Sequence, residues 1–128
     1  MTRRAYLALD LGTTDLKGGL IEADGTLLAG SRAGYPLDID PATGRAEQDA
    51  ETWWAAVVEV VGRLRAAVPD AEVAAIGIVG QGPTCVATDA DARPTHRIVT
   101  WLDTRSSRSG RWRSSGQRPR GRSGYRAK

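Results

Sequence analysis

Apolar residues run through Tyr6 to Leu11, Lys17 to Glu22 and Thr26 to about Tyr35, with polar breaks between them and Asp24-Gly25 ahead of the last run. This spacing predicts three antiparallel strands, the Asp-Gly pair marking a tight hairpin. Pro36 to Glu47 is rich in Pro, Asp and Gly and reads as a polar loop. Asp49 stands where a helix N-cap belongs, Glu51 places negative charge in the first turn, and apolar residues recur at Trp53, Val57, Val60, Val61, Leu64, Ala67 and Val68. Pro69 closes that helix. Val73 to Val79 is an unbroken apolar run, which predicts a strand covered on both faces, parallel to its neighbours and central in its sheet. Cys85 to Thr88 and Ile98 to Trp101 read as two more strands around the Asp89 to Pro94 turn. The order predicts an α/β domain with a mixed sheet that opens with antiparallel strands.

Charge divides the chain near residue 105. All fifteen Asp and Glu residues fall at or before Asp103, so the part through Arg105 is net −5 while the remainder is +8, which together give the formal +3. The basic balance therefore belongs to residues 106–128 and does not argue for an acidic partner of the whole chain. That stretch is Arg, Ser and Gly with no aliphatic side chain larger than Ala127, and it is expected to be disordered. A two-part organisation follows, 1–105 globular and 106–128 a basic tail. The abrupt loss of acids and large aliphatics after Ser107 is what a message read in another frame would give. A lone Cys85 and a lone His96 exclude an internal disulfide and a zinc cluster. No run reaches the length of a membrane span and no cleavable leader is recognisable, so a cytoplasmic protein is expected.

The candidate chemistry lies in Asp10-Leu11-Gly12-Thr13-Thr14-Asp15-Leu16-Lys17. A strand ending in an acid, a glycine turn and paired threonines suits phosphate. Amide N–H groups in a tight turn make an anion nest, Thr13 and Thr14 add hydroxyl donors, Lys17 adds a compact positive charge, and Asp10 can hold the water shell of a metal ion. The plain alternative is a hairpin in which Gly12 supplies an unusual φ and Asp10 and Thr13 cap the turn. A second glycine-rich turn, Gly80-Gln81-Gly82-Pro83-Thr84, follows the apolar strand at its carboxyl end, where ligands of open α/β sheets sit.

Three blocks together resemble the FGGY carbohydrate kinases, within the actin-like, ribonuclease-H-like ATPases: Asp10 to Thr14 with Lys17; Gly44-Arg45-Ala46-Glu47-Gln48-Asp49 followed by Trp53-Trp54; and Ile76 to Gln81 followed by Trp101-Leu102-Asp103-Thr104-Arg105. Their order and spacing look most like the xylulokinase branch, over about residues 5 to 107. The resemblance implies transfer of the ATP γ-phosphoryl group, with Mg²⁺, to a sugar or polyol hydroxyl in a cleft between two domains. It places Asp10 on the magnesium shell, Gly12, Thr13, Thr14 and Lys17 on the phosphoryl oxygens, and Gln81, Gly82 and Pro83 on the sugar side. Asp103 would orient sugar hydroxyls or order that wall, with Arg105 pairing nearby.

This chain departs from the family's pattern in two ways. Gly82-Pro83 stands where similar xylulokinases have Met-His, removing side-chain donors, so another pentulose or a polyol stays open beside xylulose. The family's general-base aspartate and most of its adenine-binding surface belong to a later part of a longer chain. An amino-terminal kinase domain, incomplete and poorly active by itself, is therefore expected, its uncovered apolar surface on Val73 to Val79 favouring self-association. Two other functions compete: nucleic-acid binding by the Arg/Gly/Ser tail with Trp112 and Tyr125, and a non-catalytic sugar or nucleotide sensor. Trp53 and Trp54 read as core, Cys85 as a buried inert thiol and His96 as a solvated loop residue.

Overall fold

The structure, a computed structural model, describes residues 2–108. The tail readings for nucleic-acid binding and a shifted frame fall almost wholly outside the described residues. Nine elements follow in order: β1 (Arg3–Leu11), β2 (Asp15–Ile21), β3 (Leu27–Gly34), β4 (Asp38–Asp40), β5 (Arg45–Gln48), α1 (Ala50–Ala67), β6 (Ala71–Gly80), β7 (Ile98–Val99) and the short α2 (Arg105–Arg108). They form a four-stranded sheet ordered β3-β2-β1-β6 and a three-stranded sheet ordered β4-β5-β7. The first three strands are antiparallel and β6 runs parallel to β1. The sheet is mixed and opens with antiparallel strands, as the sequence pattern predicts.

The first hairpins form where the pattern of apolar runs places them. Gly25 takes a positive φ of 91° in the β2–β3 turn, and Thr26 donates its amide to Asp24 Oδ1 at 2.9 Å, an Asx arrangement that fixes the reversal. Along β1, Ala5, Leu7 and Leu9 are buried on one face while Ala8 and Asp10 stand exposed on the other. α1 covers the buried face. Asp49 caps it by accepting from Glu51 N, and its buried stripe is Ala56, Val60 and Leu64, joined by Val68 just beyond its end. Trp53, Val57 and Val61 pack partly against the same core, whereas Ala67 and Trp54 are exposed, so only the first tryptophan serves the core.

Gly18 explains how closely α1 approaches β2. A Cβ at that position would stand 2.5 Å from Val60 Cγ1 and 3.2 Å from Leu64 Cδ1, so the strand is pared to backbone where the helix crosses it.

Five expectations need correction. The stretch from Pro36 to Glu47 is no plain loop, since it contains β4 and the start of β5, paired Asp38↔Glu47 through Asp40↔Arg45. β6 is parallel as expected but forms an edge of its sheet among the described residues, and neither face is covered. Its apolar run reports a need for burial that α1, which packs on β2 and β3, does not meet. The Cys85 to Thr88 strand reduces to two isolated bridges, Cys85↔Val99 and Thr88↔Pro94, and Ile98 to Trp101 reduces to β7. With so thin a ladder over it, Cys85 is exposed rather than buried. His96 is exposed, as expected. Among the described residues no helix is long and apolar enough to cross a membrane.

Candidate functional site

The carboxyl ends of β1 and β6 and the start of β2 converge at one end of the main sheet, and the turn Gly12-Thr13-Thr14 lies there between β1 and β2. Backbone pairing sets Asp10 directly opposite Lys17, so the acid and the base are cross-strand neighbours. Both are exposed. They share a shallow groove with Ala8, Gly19 and Val79 on the sheet face away from α1.

The turn is held by its carbonyls. Gly12 O accepts from Tyr35 Oη at 2.5 Å and from Gln81 Nε2 at 3.2 Å, and Thr13 O accepts from Gln48 Nε2 at 2.8 Å. Thr14 O accepts from Tyr35 N at 3.0 Å, and Asp15 O accepts from Gly12 N at 2.9 Å and from Tyr35 Oη at 3.0 Å. Every carbonyl from Gly12 to Asp15 is thus engaged inward. Among the described residues the amides of Thr13 and Thr14 take no partner, while that of Gly12 is already spent on Asp15. Of the three amides expected to form an anion nest, only those of Thr13 and Thr14 are left to donate, the glycine's being spent.

Sequence reasoning overlooked the residues that do the holding. Gln48 is fully buried at 0% exposure and also donates to Pro36 O at 3.3 Å, while its Oε1 accepts from Gln81 Nε2 at 2.9 Å. The buried Asp15 pairs with Arg32 and lies 3.8 Å from Lys17 Nζ, drawing the lysine toward the turn. A polar residue in the middle of an otherwise ordinary Glu-Gln-Asp stretch was the available signal for Gln48. Nothing local marked Tyr35, whose hydroxyl reaches back across β2 and β3.

Burial, reinforced by the nearby negative charges of Asp15 and Asp10, pushes the Tyr35 phenol up to about 12. The neutral phenol is the form that donates to the two carbonyls, so ionisation breaks the clasp. An unfolded tyrosine ionises near pH 10, hence this contribution is complete below pH 10 and is lost between about pH 10 and pH 12. Ultraviolet titration should show one late-ionising tyrosine that vanishes in Tyr35→Phe, together with the matching alkaline loss of stability. A Tyr35 that titrates with the exposed phenols would refute this.

On the proposed acceptor side, Gln81 is half-buried against the turn, with its N–H donating to Leu11 O at 2.8 Å and its Oε1 buried without a partner. Gly82 and Pro83 are exposed and joined by a cis peptide bond. Pro83 lines a second groove with Thr84, Trp101 and Asp103. Both Asp103 oxygens are occupied: Oδ2 accepts from Ala46 N at 3.0 Å, and Arg105 Nε reaches Oδ1 and Oδ2 at 3.0 and 2.9 Å. Those bonds, the Arg105 side chain foremost, hold the Asp103 carboxyl well below the ordinary carboxylate range. Arg105 also donates to Glu47 Oε1 at 2.6 Å. The geometry gives Asp103 the task of ordering the wall, since little of its carboxylate is left for a ligand. Trp101 Nε1 donates to Thr13 Oγ1 at 3.0 Å and ties this wall to the turn.

Comparison with known proteins meets this geometry from outside. Glycerol kinase of Gloeobacter violaceus is 36% identical over 104 residues, covering 80% of this chain and 20% of that protein. Xylulose kinase of Lactococcus lactis subsp. lactis is 34% identical over 104 residues, covering 80% and 21%. The crystal structure of gluconate kinase from Lactobacillus acidophilus superposes with a TM-score of 0.71 at 31% identity, covering 79% of this chain and 20% of that one. The chain spans about a fifth of the length of these relatives. A family model described as the FGGY family of carbohydrate kinases, N-terminal domain, matches residues 5–122, continuing past the charge boundary near Arg105. Because that match takes in both sheets, the Gly-Thr-Thr turn and the wall behind it, the chain belongs to the FGGY family of carbohydrate kinases and carries its N-terminal domain.

Proposed function

We propose that this chain supplies the phosphate-facing half of an ATP-dependent kinase that phosphorylates a sugar or polyol hydroxyl. The observation that carries the reading is the clamped turn, whose carbonyls are all engaged inward while the Thr13 and Thr14 amides stand unpartnered beside Asp10 and Lys17. In the transfer, the acceptor oxygen bonds to the γ-phosphorus as the bond to the bridging oxygen of ADP breaks, and the hydroxyl proton passes to a base. ATP would supply the phosphoryl group and Mg²⁺ would neutralise its oxygens. Among the described residues no group of three or more His, Cys, Asp or Glu could cage a metal ion. A single exposed carboxylate suits Mg²⁺, which keeps most of its waters and takes few protein ligands. Asp10 would orient that water shell, while Thr13, Thr14 and Lys17 would hold phosphoryl oxygens in line, the positioning and charge neutralisation on which phosphoryl transfer depends.

Gln81 Oε1 is the buried acceptor facing the other side of the turn, and with Gly82, Pro83 and the Asp103–Arg105 wall it would border the acceptor sugar. With Gly82-Pro83 offering no side-chain donor, selectivity there rests on shape and on Trp101. A pentulose such as xylulose heads the acceptors to test, followed by hexuloses, gluconate and glycerol. The proton-accepting base is not among the residues brought together here, so turnover by this chain alone should be close to background, general-base help being worth about 10²- to 10⁴-fold.

The test is residue-resolved. Adding Mg·ATP to the labelled chain should shift the amide resonances of Thr13, Thr14 and Lys17, and Asp10→Ala should weaken that response when Mg²⁺ is present but not when it is chelated. An assay over the acceptor panel runs beside it. Amides that ignore nucleotide, or a magnesium-dependent response that Asp10→Ala leaves unchanged, would overturn the assignment.

A further inference from the structure

The smaller sheet grips Thr13 at two points. Gln48, the last residue of β5, donates to its carbonyl at 2.8 Å, and Trp101, two residues beyond β7, donates its indole N–H to the Thr13 hydroxyl oxygen at 3.0 Å. The tryptophan is set in place by its neighbours. Thr100 is 3% exposed, and its amide and hydroxyl both donate to Ala46 O, at 3.1 and 3.0 Å. Asp103 donates its N–H to Thr100 O at 3.0 Å, while its Oδ2 accepts from Ala46 N at 3.0 Å. Residues on either side of Trp101 are thus fastened to β5, the strand that ends in Gln48.

An indole nitrogen only donates, so in this contact Thr13 Oγ1 can only accept. A threonine hydroxyl carries one hydrogen, and with the indole on an oxygen lone pair that hydrogen must point elsewhere. Among the described residues no group accepts it, and the amide N–H of Thr13 takes no partner either. One residue therefore holds two donors ready to give. Thr14 differs, being exposed and having no such contact at its hydroxyl among the described residues, so its hydrogen can rotate.

We infer that Trp101 is a positioning residue for phosphoryl transfer, its indole N–H fixing the Thr13 hydroxyl as a donor to the oxyanion held at the turn; the inference rests on the kinase reading of that turn. A donor already aimed needs no reorganisation when negative charge arrives. A hydroxyl that accepts one hydrogen bond is also polarised to donate a stronger second one. The role belongs to the nitrogen. Packing alone would require an aromatic ring at position 101 and would be indifferent to its N–H, whereas orienting the hydroxyl requires the N–H and acts only through Thr13 Oγ1.

A double-mutant cycle on the full chain, read as Mg·ATP affinity from amide shifts, separates the two roles. Trp101→Phe keeps the ring and should weaken Mg·ATP binding about 3- to 10-fold, the worth of one hydrogen bond. Thr13→Val keeps the amide and removes the hydroxyl, so adding Trp101→Phe to it should change affinity by less than about twofold. Thr13→Ser restores a hydroxyl and should restore the full effect of Trp101→Phe. A Trp101→Phe chain that binds like wild type, or one weakened by the same factor in every background, overturns the inference and leaves the kinase reading standing. A wild-type chain whose amides ignore Mg·ATP overturns both together. Should Trp101→Phe fail to fold, the Trp101 indole N–H resonance decides: Mg·ATP should shift it in wild type and Thr13→Ser, and about threefold less or weaker still in Thr13→Val. Equal shifts in all three overturn the inference.

Discussion

Leu64→Ala should destabilise the chain by about 2 to 5 kcal/mol, with the denaturant midpoint falling accordingly. Leu64 is 1% exposed and its Cδ1 meets the bare backbone of Gly18, so truncation opens a void against a strand with no side chain to refill it. The neighbouring Val60, itself fully buried, is short and stiff at Cβ and cannot swing into the space. For a small domain whose total stability is about 5 to 15 kcal/mol, the loss is a large share. Urea titration followed by tryptophan fluorescence, with Trp53 packed beside this core, reports it directly. Val58→Ala, at an exposed position of the same helix, should move stability by less than about 0.5 kcal/mol. Equal effects of the two would mean that α1 does not seat on β2 as described.

Gln48→Leu is expected to loosen the turn. The replacement nearly preserves volume but strips donors from Thr13 O and Pro36 O and an acceptor from Gln81, at about 1 to 3 kcal/mol for each buried group left without a partner. Thr13 should lose the most order, because only the Trp101 indole would still hold it. A double-mutant cycle with Gln81→Ala isolates the amide pair, with a coupling of about 0.5 to 3 kcal/mol expected. Simple additivity would show that the two glutamines act independently. The nucleotide response of the Thr13 amide should fall in step with stability lost at Gln48, which links the packing of the turn to its use.

Elements whose residues satisfy themselves locally were legible in the sequence. The Asp24-Gly25 hairpin, the Asp49 cap and the apolar stripe of α1 each depend on neighbours within a few residues, and each forms where the pattern puts it. The parallel sense of β6 was legible too, from its unbroken apolar run, but its position was not, because burial demanded by composition and burial delivered by neighbours are separate matters. The Gly-Thr-Thr turn could be singled out from residue types alone. What pins it could not. Tyr35, Gln48, Gln81 and Trp101 reach it across 23, 35, 69 and 88 residues, and no local periodicity marks a side chain whose partner lies that far along the chain. The hairpin of β4 and β5 was missed for a similar reason: its polar strands are held by Asp38–Arg45 pairing and by contacts with β7 rather than by an apolar alternation.

Committing all four peptide oxygens from Gly12 to Asp15 to the interior has a thermodynamic side. An oxyanion taking the proposed place on the Thr13 and Thr14 amides would meet a loop with little left to reorganise, so discrimination among anions would fall to their shape and charge rather than to how well each can mould its host.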